Sequence, residues 1–206
     1  MTPILIAVLA GLAFVLGESA LGPLAPFVKT VPAGALAFLV WRKGRSTVTT
    51  LAVSGLAISA LADLLIEFSF LAGLGAFLLA HLFYIAAFTG KEPRFSGLRL
   101  LPFAAWAVIV LPVLASRAGS LALPVCVYGA VIFAMMWRAA AAAKGPFGNA
   151  SVMGLVGAIL FGVSDTLLGY SRFVAPLPAS NVLIMGTYWA AQALIATSLL
   201  DRPRER

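Results

Sequence analysis

Three charged residues lie inside apolar stretches of this chain and could carry out acid–base chemistry together. Asp63 lies in "ISALADLLIE", Asp165 in "GAILFGVSD" and Lys29 in "FVKTVP". A charge at the centre of a membrane-spanning helix costs about 2.5–3.5 kcal/mol even on lenient scales, so we expect the three to face one another inside a helical bundle. Because two carboxylates and one ammonium do not balance, we also expect one carboxyl to keep its proton. Such a pair supplies an acid and a base.

Five further polar residues accompany these three within the apolar stretches. They are Glu67, His81, Tyr84, Tyr188 and Gln192. Glu67 follows Asp63 by four residues, and Tyr84 follows His81 by three, spacings that place each pair on one helical face. We treat all five as candidates for substrate binding or for support of the Asp pair.

Each candidate also has a structural interpretation. An Asp–Lys29 pair can fix the register of two helices, and Glu67 can lie at the level of the lipid headgroups. His81 and Gln192 can hydrogen-bond between helices. Tyr188 can pack as an ordinary aromatic side chain.

The composition indicates a chain that folds in lipid. It has 206 residues, 62% hydrophobic and 10% charged, with a mean hydropathy of +1.06, whereas a soluble domain carries about 25% charged residues. The net charge of +7 lies in short clusters between apolar runs, which favours membrane orientation signals over a nucleic-acid partner. Cys126 is the single cysteine, which excludes an intrachain disulfide and a thiol-based metal site.

Eight apolar runs are long enough to be membrane-spanning helices, which need about 20 residues. They cover residues 2–18, 24–41, 48–66, 70–89, 98–115, 121–140, 151–169 and 180–200. The turns between them leave no room for a soluble domain. We therefore predict an all-α membrane protein, with residues 1–206 forming a single integral membrane domain of eight transmembrane helices.

The basic residues predict the orientation of this bundle. Eleven fall on one side of it: Arg42, Lys43, Arg45, Lys91, Arg94, Arg99, Arg138, Lys144, Arg202, Arg204 and Arg206. Only Arg117 and Arg172 fall on the other side. By the positive-inside rule both termini are cytoplasmic, and both Asp residues then lie in the outer half of the membrane. The short loops favour a bacterial inner (cytoplasmic) membrane.

A weak internal similarity suggests a duplication of four helices plus four. The segments "ADLLIEFSFLA" (62–72) and "SDTLLGYSRFV" (164–174) align on their Asp residues at an offset of 102. Both would run in the same direction, as a parallel repeat requires. Chance similarity between two Leu-rich helices explains the match equally well.

The ordered series of polar motifs resembles the YhhN-like lysoplasmalogenase family of polytopic membrane proteins. The resemblance runs from the second helix to the eighth and rests on "FVKTVP", "ISALADLLIE", "GLGAFLLAHLFYIAAF", "GAILFGVSD" and "YWAAQALIATS". Ala62 replaces an expected Gly, and Trp189 replaces a common Tyr. The positions that match the family's polar pattern are Lys29, Asp63, His81, Tyr84, Asp165 and Tyr188.

The resemblance implies hydrolysis of the sn-1 vinyl ether bond of a lysoplasmalogen. The products would be a fatty aldehyde and glycerophosphoethanolamine or glycerophosphocholine. A vinyl ether hydrolyses through protonation of its β-carbon and capture of an oxocarbenium ion by water, which Asp63 and Asp165 can catalyse much as paired carboxyls do in glycosidases. This route needs no cofactor and no metal, and its partners are a lysophospholipid and the membrane lipids.

A transporter or proton-coupled carrier is the main alternative from another class. Ionisable residues inside the membrane and a duplication suit a carrier as well. Against it, the cytoplasmic half offers almost no polar residue, although an alternating-access path needs polar groups on both sides. A lipid-binding or sensory bundle without turnover is a third interpretation.

Overall fold

Eight α-helices make up the described part of the chain, as a computed structural model shows. Residues 3–200 are described, apart from the side chains of residues 3–8, 16, 18 and 19. The helices are α1 (Pro3–Leu21), α2 (Ala25–Lys43), α3 (Thr47–Phe68), α4 (Phe70–Lys91), α5 (Leu101–Ala115), α6 (Ala122–Ala142), α7 (Ala150–Phe173) and α8 (Ser180–Leu199). Short 3₁₀ turns at Gly22–Leu24 and Gly119–Leu121 precede α2 and α6. The described range contains no strand, and the basic tail at 202–206 lies outside it.

Each of the eight predicted runs corresponds to one helix, with two informative differences at the ends. α5 begins three residues later than predicted, where Pro102 takes a first-turn position that suits its missing N–H. α7 continues four residues past its predicted end at Gly169. Gly169 lies inside α7 and has a packing role, since a Cβ there would lie 2.8 Å from the Leu114 side chain. It lets α5 approach α7, and the longer helix carries Arg172.

Six helices form a closed ring, and the other two pack on its outside. Around the ring α2 contacts α3, α3 contacts α4, α4 contacts α6, α6 contacts α7, α7 contacts α8, and α8 returns to α2. α1 lies against α2 and α8, while α5 lies against α6 and α7. The inside of the ring is therefore where side chains from helices far apart in sequence can meet.

A tight hairpin joins α3 to α4 and sets the position of the first Asp. Ser69 alone separates the two helices, and its Oγ accepts a hydrogen bond from the amide of Ala72 at 3.3 Å. A Cβ on Gly73 would lie 2.4 Å from Ile66, so only glycine allows the two helices to pack this closely. Asp63 lies five residues before Phe68, the last residue of α3, and therefore near this hairpin.

The outer surface of the bundle is apolar, as a lipid-facing surface must be. Phe68, Val108, Ile109 and Leu123 are each 68–74% exposed, an arrangement that soluble proteins avoid over large areas. Six of the described helical segments, those containing α2, α3, α4, α6, α7 and α8, are long and apolar enough to cross a membrane. These are the six helices of the ring.

Candidate functional site

Asp63 lies at the end of a chain of buried hydrogen bonds that joins three helices. The hydroxyl of Tyr188 donates to Asp63 Oδ2 at 2.8 Å and accepts from Gln192 Nε2 at 3.2 Å. Gln192 Oε1 in turn accepts from the Tyr84 hydroxyl at 2.7 Å, which lies 3.4 Å from Ser59 Oγ. All five residues are at most 3% exposed. The chain fixes one carboxylate oxygen of Asp63, Oδ2, through the Tyr188 hydroxyl.

Helical spacing and one glycine bring this chain together. Asp63 follows Ser59 by four residues on α3, and Gln192 follows Tyr188 by four on α8, so each pair lies on one helical face. A Cβ on Gly55 would lie 2.4 Å from the ring of Tyr84. Because α3 has no side chain at that point, the Tyr84 ring crosses it and its hydroxyl reaches toward α8.

Asp165 has a separate partner on another helix. The hydroxyl of Tyr128, on α6, donates to Asp165 Oδ2 at 2.5 Å. The preceding residue, Ser164, donates to the carbonyl oxygen of Ile184 at 2.9 Å and so ties α7 to α8. Each carboxyl group is thus held by one phenol, and each phenol comes from a helix other than that of its Asp.

Both Asp residues line one polar cavity near one end of the ring. The cavity has a volume of about 260 Å³ and is walled by α2, α3, α4, α7 and α8. Lys29, Glu67, Tyr188 and Arg172 line it as well. The cavity therefore holds two carboxyl groups and a phenol with room for water and a polar part of a ligand.

An apolar groove adjoins this cavity and shares Asp165 with it. The groove has a volume of about 50 Å³ between α3, α4, α5, α6 and α7, and its walls are almost entirely hydrocarbon. Five residues line both spaces: Ile66, Phe70, Phe77, Asp165 and Leu168. Asp63, by contrast, lines the polar cavity and not the groove. Asp165 consequently stands at the boundary between a polar and an apolar compartment.

The ion pair of Lys29 differs from the one expected from the sequence. Lys29 Nζ lies 2.5 Å from Glu67 Oε1, with side-chain exposures of 12% and 39%, while Asp63 and Asp165 are hydrogen-bonded to tyrosines. Glu67 reaches Lys29 because it lies one turn beyond Asp63, closer to the start of α2. Lys29 still lines the cavity with both Asp residues, but its direct partner is the exposed carboxylate rather than a buried one.

His81 lies next to the site and does not line the cavity. It is fully buried, and its Nδ1 lies 2.5 Å from the carbonyl oxygen of Phe77. A carbonyl only accepts, so Nδ1 carries the proton of this contact, and Nε2 has no hydrogen-bond partner among the described residues. The ring packs edge-on against Phe161 at 4.6 Å and Tyr128 at 5.5 Å between centroids. Its contacts are those of a side chain that packs between the hydrogen-bond chain of Tyr84 and Tyr188 and the Tyr128–Asp165 pair.

Two residues of the site, Tyr128 and Arg172, were not predicted from the sequence. Tyr128 is the only tyrosine of α6, and a lone phenol in an apolar helix was a usable signal. Arg172 follows Asp165 by seven residues, two helical turns along the same face. It was counted only as a loop charge because α7 was expected to end before it.

The described residues contain no group of three His, Cys, Asp or Glu side chains close enough to hold a metal ion. The two Asp residues and Tyr188 supply carboxyl and phenol groups to this cavity. Both kinds of group can transfer a proton to or from a ligand in the cavity.

Comparison with known proteins gives a consistent result. The YhhN family matches residues 24–199. The human protein named lysoplasmalogenase TMEM86B is 38% identical over 189 residues, covering 90% of this chain and 80% of its own length. Mouse lysoplasmalogenase TMEM86B is 34% identical over 85% of this chain and 75% of its own length.

A bacterial relative extends the comparison. A Mycobacterium tuberculosis protein named lysoplasmalogenase is 33% identical over 69% of this chain and 58% of its own length. No solved structure matches the chain significantly. The YhhN family match runs from the turn before α2 to the last residue of α8 and so includes every helix that contributes to the cavity. With its six long apolar helices, the chain is an integral membrane protein that belongs to the YhhN family.

Proposed function

We propose that this protein is a lysoplasmalogenase that hydrolyses the sn-1 vinyl ether bond of a lysoplasmalogen. One observation carries the proposal: two carboxyl groups line a single cavity, and one of them also borders an apolar groove. A lysolipid has the same division, with a polar glycerol headgroup, a reactive vinyl ether at the junction and a hydrocarbon chain. The relatives named lysoplasmalogenase support the same activity.

In the proposed reaction Asp165 acts as the acid, because it alone of the two Asp residues lines both compartments. Its carboxyl proton goes to the β-carbon of the vinyl ether, which leaves a positive charge shared by the adjacent carbon and the ether oxygen. Asp63, held by Tyr188 and lining only the polar cavity, stabilises that cation and takes a proton from the attacking water. The alkenyl chain begins in the apolar groove, and the rest of it extends toward lipid.

The resulting hemiacetal then collapses to products. The bond between its carbon and the glycerol oxygen breaks as Asp63 gives its newly acquired proton to the glycerol oxygen. The hemiacetal hydroxyl gives its proton to the Asp165 carboxylate as the aldehyde forms, so both Asp residues return to their starting states. The balance is one water consumed, with a fatty aldehyde and glycerophosphoethanolamine or glycerophosphocholine released. General acid–base catalysis of this kind contributes about 10²–10⁴-fold to the rate.

The proposal includes a topology of eight crossings in a single integral membrane domain. α1 and α5 add two crossings to the six made by the ring helices. The 15 residues of α5 rise only about 22 Å, less than the hydrocarbon core of about 30 Å, so the bilayer must thin locally around this helix. Both termini and the basic loops are then cytoplasmic, and the cavity opens toward the outer face of a bacterial inner membrane. The ring packing supports a four-plus-four duplication. If α1–α4 correspond to α5–α8, the counterpart of the α4–α6 contact is a contact between α8 and α2, and both contacts are present.

The purified protein tests the activity directly with three lipids that share one headgroup. These are the 1-alkenyl, 1-alkyl and 1-acyl forms of lysophosphatidylethanolamine in mixed micelles, with aldehyde and fatty acid measured as products. We expect aldehyde from the alkenyl lipid and no cleavage of the alkyl ether, which cannot be protonated at carbon. Fatty acid from the acyl lipid alone would replace the proposal with an ester hydrolase. No product, with proton or solute movement in proteoliposomes, would favour the carrier.

A further inference from the structure

Arg172 is the charged residue of the cavity that the proposed reaction does not use. It lies in the last turn of α7 and lines the polar cavity with Lys29 and both Asp residues. Lys29 is already neutralised by Glu67 at 2.5 Å. Among the described residues that line this cavity, Arg172 is the one cation without a carboxylate within ion-pair distance. Its charge is available to a ligand.

An aromatic ring holds the guanidinium group of Arg172 in a defined position. The carbon Cζ lies 4.2 Å from the centroid of the Phe70 ring, and Phe70 is itself held edge-on by Phe173 at 5.6 Å. A guanidinium that stacks on a ring uses its flat face, so the N–H groups in its plane remain free to donate. Two parallel N–H groups match the oxygens of a phosphate.

The spacing between Arg172 and Asp165 fits a lysoplasmalogen. Seven residues of helix separate them, a rise of about 10.5 Å. In the lipid, seven bonds join the β-carbon of the vinyl ether to phosphorus, about 9 Å when extended. A lipid with its β-carbon at Asp165 therefore brings its phosphate within reach of Arg172, while its chain enters the groove behind Asp165.

We propose that Arg172 binds the phosphate of the substrate and makes the protein selective for lysophospholipids over phosphate-free vinyl ethers. The kinetic test of this inference rests on the proposed function, whereas the binding test described below does not. Arg172 acts as a positioning residue: it anchors the headgroup end so that the vinyl ether stops at Asp165. It takes no part in the proton transfers, so its loss should affect binding far more than turnover.

The test compares two substrates that differ only in the phosphate-containing headgroup. Aldehyde release is measured from 1-alkenyl-lysophosphatidylethanolamine and from 1-alkenylglycerol, for the wild type, Arg172→Ala, Arg172→Lys and Arg117→Ala. Arg117 is the matched control, an exposed arginine of the same outer side that does not line the cavity. We expect Arg172→Ala to raise KM for the phospholipid about 10- to 100-fold, the loss of a charge-assisted hydrogen-bonded pair.

The same variant should leave kcat within about threefold and KM for 1-alkenylglycerol unchanged, because neither depends on the phosphate. Arg172→Lys should recover part of the loss, and Arg117→Ala should behave as wild type. Equal effects of Arg172→Ala on both substrates, or no effect on either, would overturn the inference.

A binding measurement separates failure of this inference from failure of the proposed function. The uncleavable 1-alkyl-lysophosphatidylethanolamine is titrated into wild type and Arg172→Ala, with 1-alkylglycerol as the phosphate-free comparison. Weaker binding of the phospholipid alone supports phosphate recognition even if no vinyl ether is hydrolysed. Unchanged binding of the phospholipid rejects it even if aldehyde is released.

Discussion

Replacing Tyr188 with Phe removes a single hydroxyl from the site and leaves the ring in place. That hydroxyl donates to Asp63 at 2.8 Å and accepts from Gln192 at 3.2 Å. The ring itself is held edge-on by Phe77 and Phe161, with centroids 5.8 and 5.3 Å away. The substitution therefore tests whether the hydrogen bond to Asp63 matters for catalysis, without opening a large cavity.

The size of the effect follows from the carboxylate partner. A hydrogen bond to a charged group contributes about 1.5–3 kcal/mol, and each 1.4 kcal/mol or so corresponds to a factor of ten in rate. If Tyr188 holds Asp63 in the orientation that stabilises the oxocarbenium ion, kcat falls about 10- to 100-fold. KM stays within about threefold, because the lost bond is internal to the protein.

Tyr84→Phe provides the matched control. It removes the same atom from the same network, but Tyr84 bonds to Gln192 at 2.7 Å and does not line the cavity. Both variants should lose about 1–3 kcal/mol of unfolding free energy, whereas only Tyr188→Phe should lose most of its kcat in the aldehyde-release assay. Equal loss of kcat in both would mean that the network acts through folding. Full activity of Tyr188→Phe would refute the role given to its hydroxyl.

Three further predictions address the groove, the ion pair and the cytoplasmic loops. Val110→Phe narrows the groove, so kcat/KM should fall more for long alkenyl chains than for short ones, measured across a chain-length series. Lys29→Met leaves Glu67 unpaired and should lower the free energy of unfolding by no more than about 1 kcal/mol. The double variant Lys29→Met/Glu67→Gln should be no less stable than Lys29→Met. A loss of stability well above about 1 kcal/mol, or a large fall in kcat in either variant, would contradict a purely structural ion pair. The hydrogen bond from Lys144 holds the pKa of Glu92 below its ordinary 4.5, so its stabilising contribution is present above that pH and lost below it. Glu92→Gln should thus lower Tm at pH 7 but progressively less below pH 4.5, and a constant difference would be inconsistent with this pairing.

The helices of this protein could be predicted from sequence because their apolar runs are long and separated by charged or Gly- and Pro-containing turns. The observed end of α7, four residues beyond the predicted one, has a local cause. Gly169 looked like a helix end but serves to admit Leu114 from α5. From sequence alone, a glycine that ends a helix cannot be distinguished from one that lets a neighbouring helix pack closely.

The interior position of the two Asp residues was predictable from the sequence, whereas their hydrogen-bond partners were not. The cost of burying charge was enough to predict that Asp63 and Asp165 face the interior, and both line one cavity. Which base or phenol meets which carboxyl depends on how helices rotate and tilt, which spacing along one helix does not specify. For that reason Lys29 was expected beside an Asp and pairs with Glu67 instead.

Arg172 shows a second kind of limit. Its charge suited an orientation signal, and nothing in the sequence distinguishes a loop arginine from one stacked over an aromatic ring. Only the contact with Phe70 at 4.2 Å, from a helix about 100 positions earlier, indicates that its guanidinium is held in the cavity.

The most direct test of the account is kcat for aldehyde release by the wild type, Asp63→Asn, Asp165→Asn and the double variant, each confirmed as folded by thermal unfolding. We expect each single substitution to lower kcat at least about 100-fold. The double substitution should add little, because both residues serve one proton-transfer sequence and their effects do not add. An active wild type together with full activity in either single variant would contradict the central claim that these two carboxyl groups cleave the vinyl ether.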